Sequence, residues 1–192
     1  MALESWMYRD QYEFRVLDDF KSELQFQALV DLLLTNPPSV DPLYSAEEKQ
    51  HRDRLQATSH SLVNFRLAVY SGSQLVAFTR AMQTDGANLH MALSAVHPDH
   101  QRKGIYTELV RAVLAFAKEQ GFQTIDSSHR ATNNPVIIAK LRAGFVINGL
   151  TLSDVMGCLV KLTYFHNPTR RKLIDARAGL SRPEGELRDL FF

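Results

Sequence analysis

The stretch "VHPDHQRKGIYTELV", Val96 to Val110, decides how this chain is read. A strand-like run, "NLHMALSAV", ends at Val96 and meets Pro98. Gln101, Arg102, Lys103 and Gly104 follow, and then a helical pattern with Leu109, Val113, Phe116 and Ala117 as its apolar residues. The first N–H groups of a helix have no intrahelical partner. With the positive end of the helix dipole they make an anion site. A glycine there lets backbone approach a ligand closely. The physics suits a pyrophosphate, and a solvated basic turn capping a helix fits the same residues. Neither the P-loop pattern nor a GxGxxG pattern is present.

Working outward, 192 residues amount to about one domain. A chain that is 45% hydrophobic and 22% charged can build a core in water. The net charge of +1 argues against a polyanion binder, so nucleic-acid binding would need a local patch. Arg102, Lys103 and the run Arg170-Arg171-Lys172 lack interleaved aromatic residues. Cys158, the single cysteine, excludes an intramolecular disulfide framework and a cysteine-rich zinc site, and no other spacing points to a metal. The start "MALESWMYRDQ" does not read as a secretory signal, and no apolar run approaches the ~18 residues of a membrane span. The expectation is a cytoplasmic protein that meets neither membrane nor nucleic acid.

"YEFRVL" reads as a strand and residues 20–34 as a helix with Leu24, Ala28 and Leu32 on one stripe. "TNPPSVDP" breaks the chain. Ser45 with Glu48 is a capping-box signature for a polar helix over 45–58. "FRLAVY", "QLVAFTRAM" and "NLHMALSAV" are strands joined by short glycine turns, an antiparallel meander. Gly104 to Gln120 is a helix with Gly121 at its C-terminal cap. "FQTIDSSH" is a strand, 133–143 a helix with Pro135 in its first turn, and "GFVING" and "CLVKLTYF" the last strands. The order β-α-α-β-β-β-α-β-α-β-β gives an α/β fold, a mixed sheet with helices on both faces.

"VHPDHQRKGIY" resembles the acetyl-CoA signature of the GNAT acetyltransferase superfamily, Val-x-Pro-x-x-Gln/Arg-x-x-Gly-x-Gly/Ala. Val96, Pro98, Gln101 and Gly104 are in register, and Tyr106 departs from the small final residue. "NNPVIIAKLRAGF" is similar to a second family segment, with Asn133, Gly144 and Phe145 in register. The resemblance covers roughly residues 12–165. It implies a GNAT domain over 1–166, with 167–192 as a tail packed on the domain or on a partner subunit, open to use as a dimer arm. It implies a mostly antiparallel sheet with a splay between two parallel strands, 91–96 and 122–129. The pantetheine arm of acetyl-CoA would pair with backbone at Ser94, Ala95 and Val96. The pyrophosphate would sit on Gln101, Arg102, Lys103, Gly104, Ile105 and Tyr106. Asn133 would contact the pantetheine or position the thioester.

The implied activity is direct acetyl transfer to a primary amine on a small molecule or peptide, with the small molecule favoured. A non-catalytic CoA-binding module of the same fold is the alternative reading, prompted by the departures at Tyr106 and Lys140. The amine must lose a proton before it attacks. His90, eleven residues before Gln101, stands at about the offset of the family's glutamate or histidine base. It reads equally as a strand histidine that only satisfies a hydrogen bond. Lys140 occupies the position where the family often has a tyrosine acid. It can donate a proton, stabilise a thiolate, face a CoA phosphate, or face solvent. Tyr106, His129 and Tyr164 are other donors. Cys158, in a late apolar strand, is expected to be an inert core thiol. The resemblance puts the acceptor side along 35–64 and the last two strands; in 35–64, Glu47, Glu48 and Asp53 either hold an ammonium group or form a solvated helix face.

Overall fold

The computed structural model describes residues 4–21, 23–33, 42, 45–50 and 62–190. Its strands are β1 (Ser5–Tyr8), β2 (Tyr12–Val16), β3 (Asn64–Ser71), β4 (Gln74–Asp85), β5 (Asn88–Val96), β6 (Thr124–Arg130), β7 (Val146–Ser153) and β8 (Gly157–Phe165). Its helices are α1 (Phe26–Leu33), α2 (Ile105–Glu119), α3 (Asn134–Arg142) and α4 (Pro168–Arg177). The strands form one sheet in the order β1-β2-β3-β4-β5-β6-β8-β7. Every neighbouring pair is antiparallel except β5–β6. This is the expected mixed, mostly antiparallel α/β fold, with helices on both faces. Among the described residues no helix is long and apolar enough to cross a membrane.

Two cores lie on opposite faces of the sheet. On one, Leu109, Val113 and Ala117 of α2 bury completely against Phe14, Leu67, Leu89 and Ile125. Each of these side chains larger than alanine stabilises by roughly 1.5–3 kcal/mol when removed from water. On the other, Phe20 stacks on Phe26 with ring centroids 4.2 Å apart, both meet Phe78 edge-on at 5.8 and 4.8 Å, and Leu29 of α1 packs beside Tyr70 and Ala95. A bulge carries β5 from one face to the other. Arg80 pairs with Leu93 and Ala81 with Met91, so Ala92 is the extra residue. Leu89 and Met91 therefore join the α2 core, while Leu93 and Ala95 join the α1 core.

The sequence reading differs from the fold at several places. The helix expected from Phe20 begins at Phe26: the Glu23 N–H bonds the Phe20 carbonyl and the Phe26 N–H the Glu23 carbonyl, turns that bring Phe20 onto Phe26 and Phe78. Leu24 and Leu32, expected on its apolar stripe, are exposed, and Leu29 takes the buried position. Strand β1 was not expected. It is four residues long and turns into β2 through Arg9 and Asp10, both at positive φ, so no glycine signals it. Trp6 stacks on Phe14 at 5.1 Å and donates its indole N–H to Glu108 of α2 at 3.2 Å. Cys158 is exposed rather than buried: it stands at the start of β8 opposite Leu152 of the edge strand β7, one residue beyond the last pairing of β8 with β6, Arg130↔Leu159. The Ser45–Glu48 capping box forms in both directions, at 2.8 and 3.2 Å. The remainder of that expected helix, with Asp53, lies outside the described residues. Residues 168–177 of the tail form α4, which packs on β8, with the Arg170 guanidinium 5.5 Å from the Phe165 ring centre.

Candidate active site

Parallel pairing of β5 with β6 lasts for three residue pairs: Asn88↔Thr124, Leu89↔Ile125 and His90↔Asp126. Beyond His90 the strands part. β5 continues to Val96 against β4 alone, and β6 continues to Arg130 against β8. The segment from Met91 to Val96 therefore has one free edge, whose backbone groups demand partners. Side chains lock the closed end of the splay. Thr124 donates to Asn88 at 2.9 Å, and Asn88 donates to Asp126 at 2.9 Å.

At the open end, β5 leads into a short 3-10 turn, Pro98–His100. The Gln101 side chain donates back to the Val96 carbonyl at 3.1 Å, so it braces the loop from within. Arg102 and Gly104 both have positive φ, 60° and 85°. Gly104 is needed twice over, since a Cβ there would lie 2.5 Å from the Tyr8 hydroxyl. The missed strand β1 thus presses directly on the start of α2. The first intrahelical bond of α2 runs from the Glu108 N–H to the Gly104 carbonyl, which leaves the amides of Ile105, Tyr106 and Thr107 ahead of it.

These elements enclose a cleft of about 450 Å³. Its walls include Ser94, Ala95 and Val96 of β5 and Gln101, Arg102, Gly104, Ile105 and Tyr106 of the loop and helix start. Asn133, Val136 and Ala139 face them from α3. Lys103 is exposed and outside the lining. Asn133 stands at the N-cap of α3 but makes no capping side-chain bond, so its amide is uncommitted. The Tyr106 hydroxyl is buried without a partner, and burial raises its pKa. His100 and Thr107 also line the cleft and were not picked out from sequence. Free helix-start amides, a positive-φ glycine, a free strand edge and unengaged polar atoms on both walls suit a phosphate-bearing, amide-containing ligand such as CoA.

The candidate catalytic residues flank the vertex of the splay. His90 alternates with Leu89 and Met91 and so faces away from the α2 core. Its Nδ1 lies 3.2 Å from the Asp126 carboxylate. Burial opposes the Asp126 charge, but hydrogen bonds from His90 and Asn88 and the Lys161 charge outweigh it and hold the carboxyl below its ordinary range. A carboxylate accepting from Nδ1–H leaves the lone pair on Nε2. Asp126 was missed from sequence. Only its place in the alternation of "TIDSSH", opposite His90 in a parallel pair, would have found it.

Lys140 approaches from the α2 side. It is fully buried, its Nζ donates to Met91 Sδ at 2.6 Å, and it lies 4.3 Å from the Phe145 ring centre. Facing solvent or a phosphate is thereby ruled out for this side chain. Burial pushes its pKa down to about 7, against the pull of the Asp126 charge. His129, on the same face, is pushed down to about 4 by burial and by the Lys140 and His90 charges, so it is neutral at pH 7. Tyr164 packs on Phe145 at 5.5 Å, beside Gly144.

Comparisons with known proteins agree with this architecture. Residues 26–145 match the model of the acetyltransferase (GNAT) family. A ribosomal-protein-S5-alanine acetyltransferase from Vibrio fischeri superposes with a TM-score of 0.63 at 14% identity, over 85% of this chain and 97% of that one. A spermidine N-acetyltransferase from Vibrio cholerae gives 0.59 at 16% identity, over 81% and 94%. A Bacillus subtilis acetyltransferase solved in complex with CoA gives 0.56 at 15% identity, over 80% and 98%. No curated protein sequence matches at a significant level. With both strands of the splay and the whole loop–helix cleft inside the matched segment, the chain belongs to the GNAT acetyltransferase family.

Proposed function

We propose that the chain transfers the acetyl group of acetyl-CoA to a primary amine, with His90 as general base. The observation that carries this reading is the His90–Asp126 pair on the last rung before the splay opens. His90 Nε2, held in the basic tautomer, takes the proton that a protonated amine, near pKa ~10.4, must lose. When bound, acetyl-CoA supplies a thioester carbonyl and a thiolate leaving group. The free edge of β5 and the amides at the start of α2 hold its two ends. Lys140, whose pKa burial pushes down to about 7, holds a proton at the vertex for the leaving sulfur.

A small-molecule acceptor is the favoured class. One similar structure is named for spermidine and another for a ribosomal-protein alanine, so both amines and peptides belong in the assay. The test is thiol release from acetyl-CoA across amino acids, polyamines, arylalkylamines, amino sugars and peptides, with calorimetric CoA titration beside it. Turnover of at least one amine is expected. Absence of CoA binding sinks the reading. Binding without turnover of any amine favours the non-catalytic module instead.

A further inference from the structure

We propose that the acceptor carries an anionic group of the carboxylate class, held by Arg80, in addition to the amine it presents to His90; this rests on the acetyl-transfer reading above. The face of the sheet that carries His90 holds a second cleft, of about 760 Å³, lined in part by Asp19, Lys21, Glu23, Arg66, Arg80 and Leu93. Strand register fixes its relation to the base. Arg66, Arg80 and Leu93 form one cross-strand row, and Asn64, Met82 and His90 form the next. The bulge at Ala92 keeps Leu93 and His90 on the same face. Adjacent rows on one face are separated by about 7 Å along the strands. One small molecule can therefore reach both positions.

The charge of the cleft is not self-cancelling. Its lining has three cations and two acids. Both acids are already engaged, Glu23 by the Tyr70 hydroxyl and Asp19 by the Lys21 backbone N–H. Arg66 donates to the Asp18 carbonyl. The Arg80 Nε is buried and has no hydrogen-bond partner. A buried donor left unmade is costly, and a guanidinium matches a carboxylate with paired N–H bonds. The separation of the two rows favours an amine and an acid several bonds apart over an α-amino acid.

The test uses ω-amino acids of increasing chain length. Each is paired with the alkylamine and the diamine of equal length, in the thiol-release assay with acetyl-CoA. The expected result is kcat/KM for the acidic amines roughly ten-fold or more above their uncharged partners, the size of one charge-assisted bond. Arg80→Gln should lower that ratio about ten-fold, and Arg80→Lys should restore part of it. Equal rates, a preference for diamines, or a ratio unmoved by Arg80→Gln in a variant that melts like the parent overturns the proposal. If Arg80→Gln fails to fold, the preference of the unaltered protein decides alone. Failure to bind acetyl-CoA would bring down the transfer reading as well, whereas binding with turnover of diamines over acids removes only this inference.

Discussion

Two ionisable groups flank the vertex of the splay, and the sheet treats them in opposite ways. His90 is part-exposed, its ring is oriented by Asp126, and Asp126 is in turn held by Asn88. Lys140 is sealed from water against a thioether and an aromatic ring, with no carboxylate within ion-pair distance among the described residues. One site has its polarity answered, which is what the proposed proton transfer needs. The other carries an unanswered cost, which burial relieves by making the neutral amine accessible near pH 7. In the proposed reaction both groups move a proton, but only Lys140 holds its proton at a cost to stability.

Substitution of His90 should break the comparison most sharply. His90→Gln is expected to lower kcat at pH 7 by roughly 10²–10⁴-fold with little change in CoA affinity, read by steady-state kinetics and calorimetry. A loss under two-fold would remove His90 from the mechanism. Lys140→Met should act on stability. The folded pKa, about 7, lies below the unfolded value, so the lysine penalty is fully present at lower pH. It fades as pH rises from about 7 toward ~10.4, because there the unfolded chain binds the extra proton. The variant should gain about 3 kcal/mol near pH 6 and much less near pH 10, measured by denaturant midpoints. An equal gain at both would place the cost elsewhere.

Asp126→Asn sharpens the other side. An amide donating to Nδ1 puts the ring proton on Nε2 and removes the lone pair, so kcat should fall at least ~10-fold while the melting temperature moves little. Tyr106→Phe should have the smallest effect. Removing a buried hydroxyl without a partner is expected to change stability by under about 1 kcal/mol, and to raise the KM for acetyl-CoA only if that hydroxyl bonds the ligand.

Much of this was legible because it is local. The helix-start glycine, the α2 stripe and the Ser45–Glu48 box are set by neighbours in the chain, and period and capping chemistry report them. The paired motifs around Gly104 and Asn133 located both walls of the cleft. Strand β1, the start of α1 and the exposure of Cys158 were not legible. Trp6 is placed by Glu108 and Phe20 by Phe78, contacts distant in sequence, and Cys158 is exposed because the β6–β8 ladder ends at Leu159.

By itself, the sequence determined the types of most elements, though not β1 or α4, the family resemblance, and a glycine where backbone must turn and be approached. Only the tertiary structure decided which face each strand residue takes, since the single extra residue at Ala92 reverses alternation within β5. It decided that His90 meets Asp126, because parallel register is set by packing rather than by either strand alone. It also decided that Lys140 is buried, because a side chain's solvation depends on what the rest of the chain lays over it.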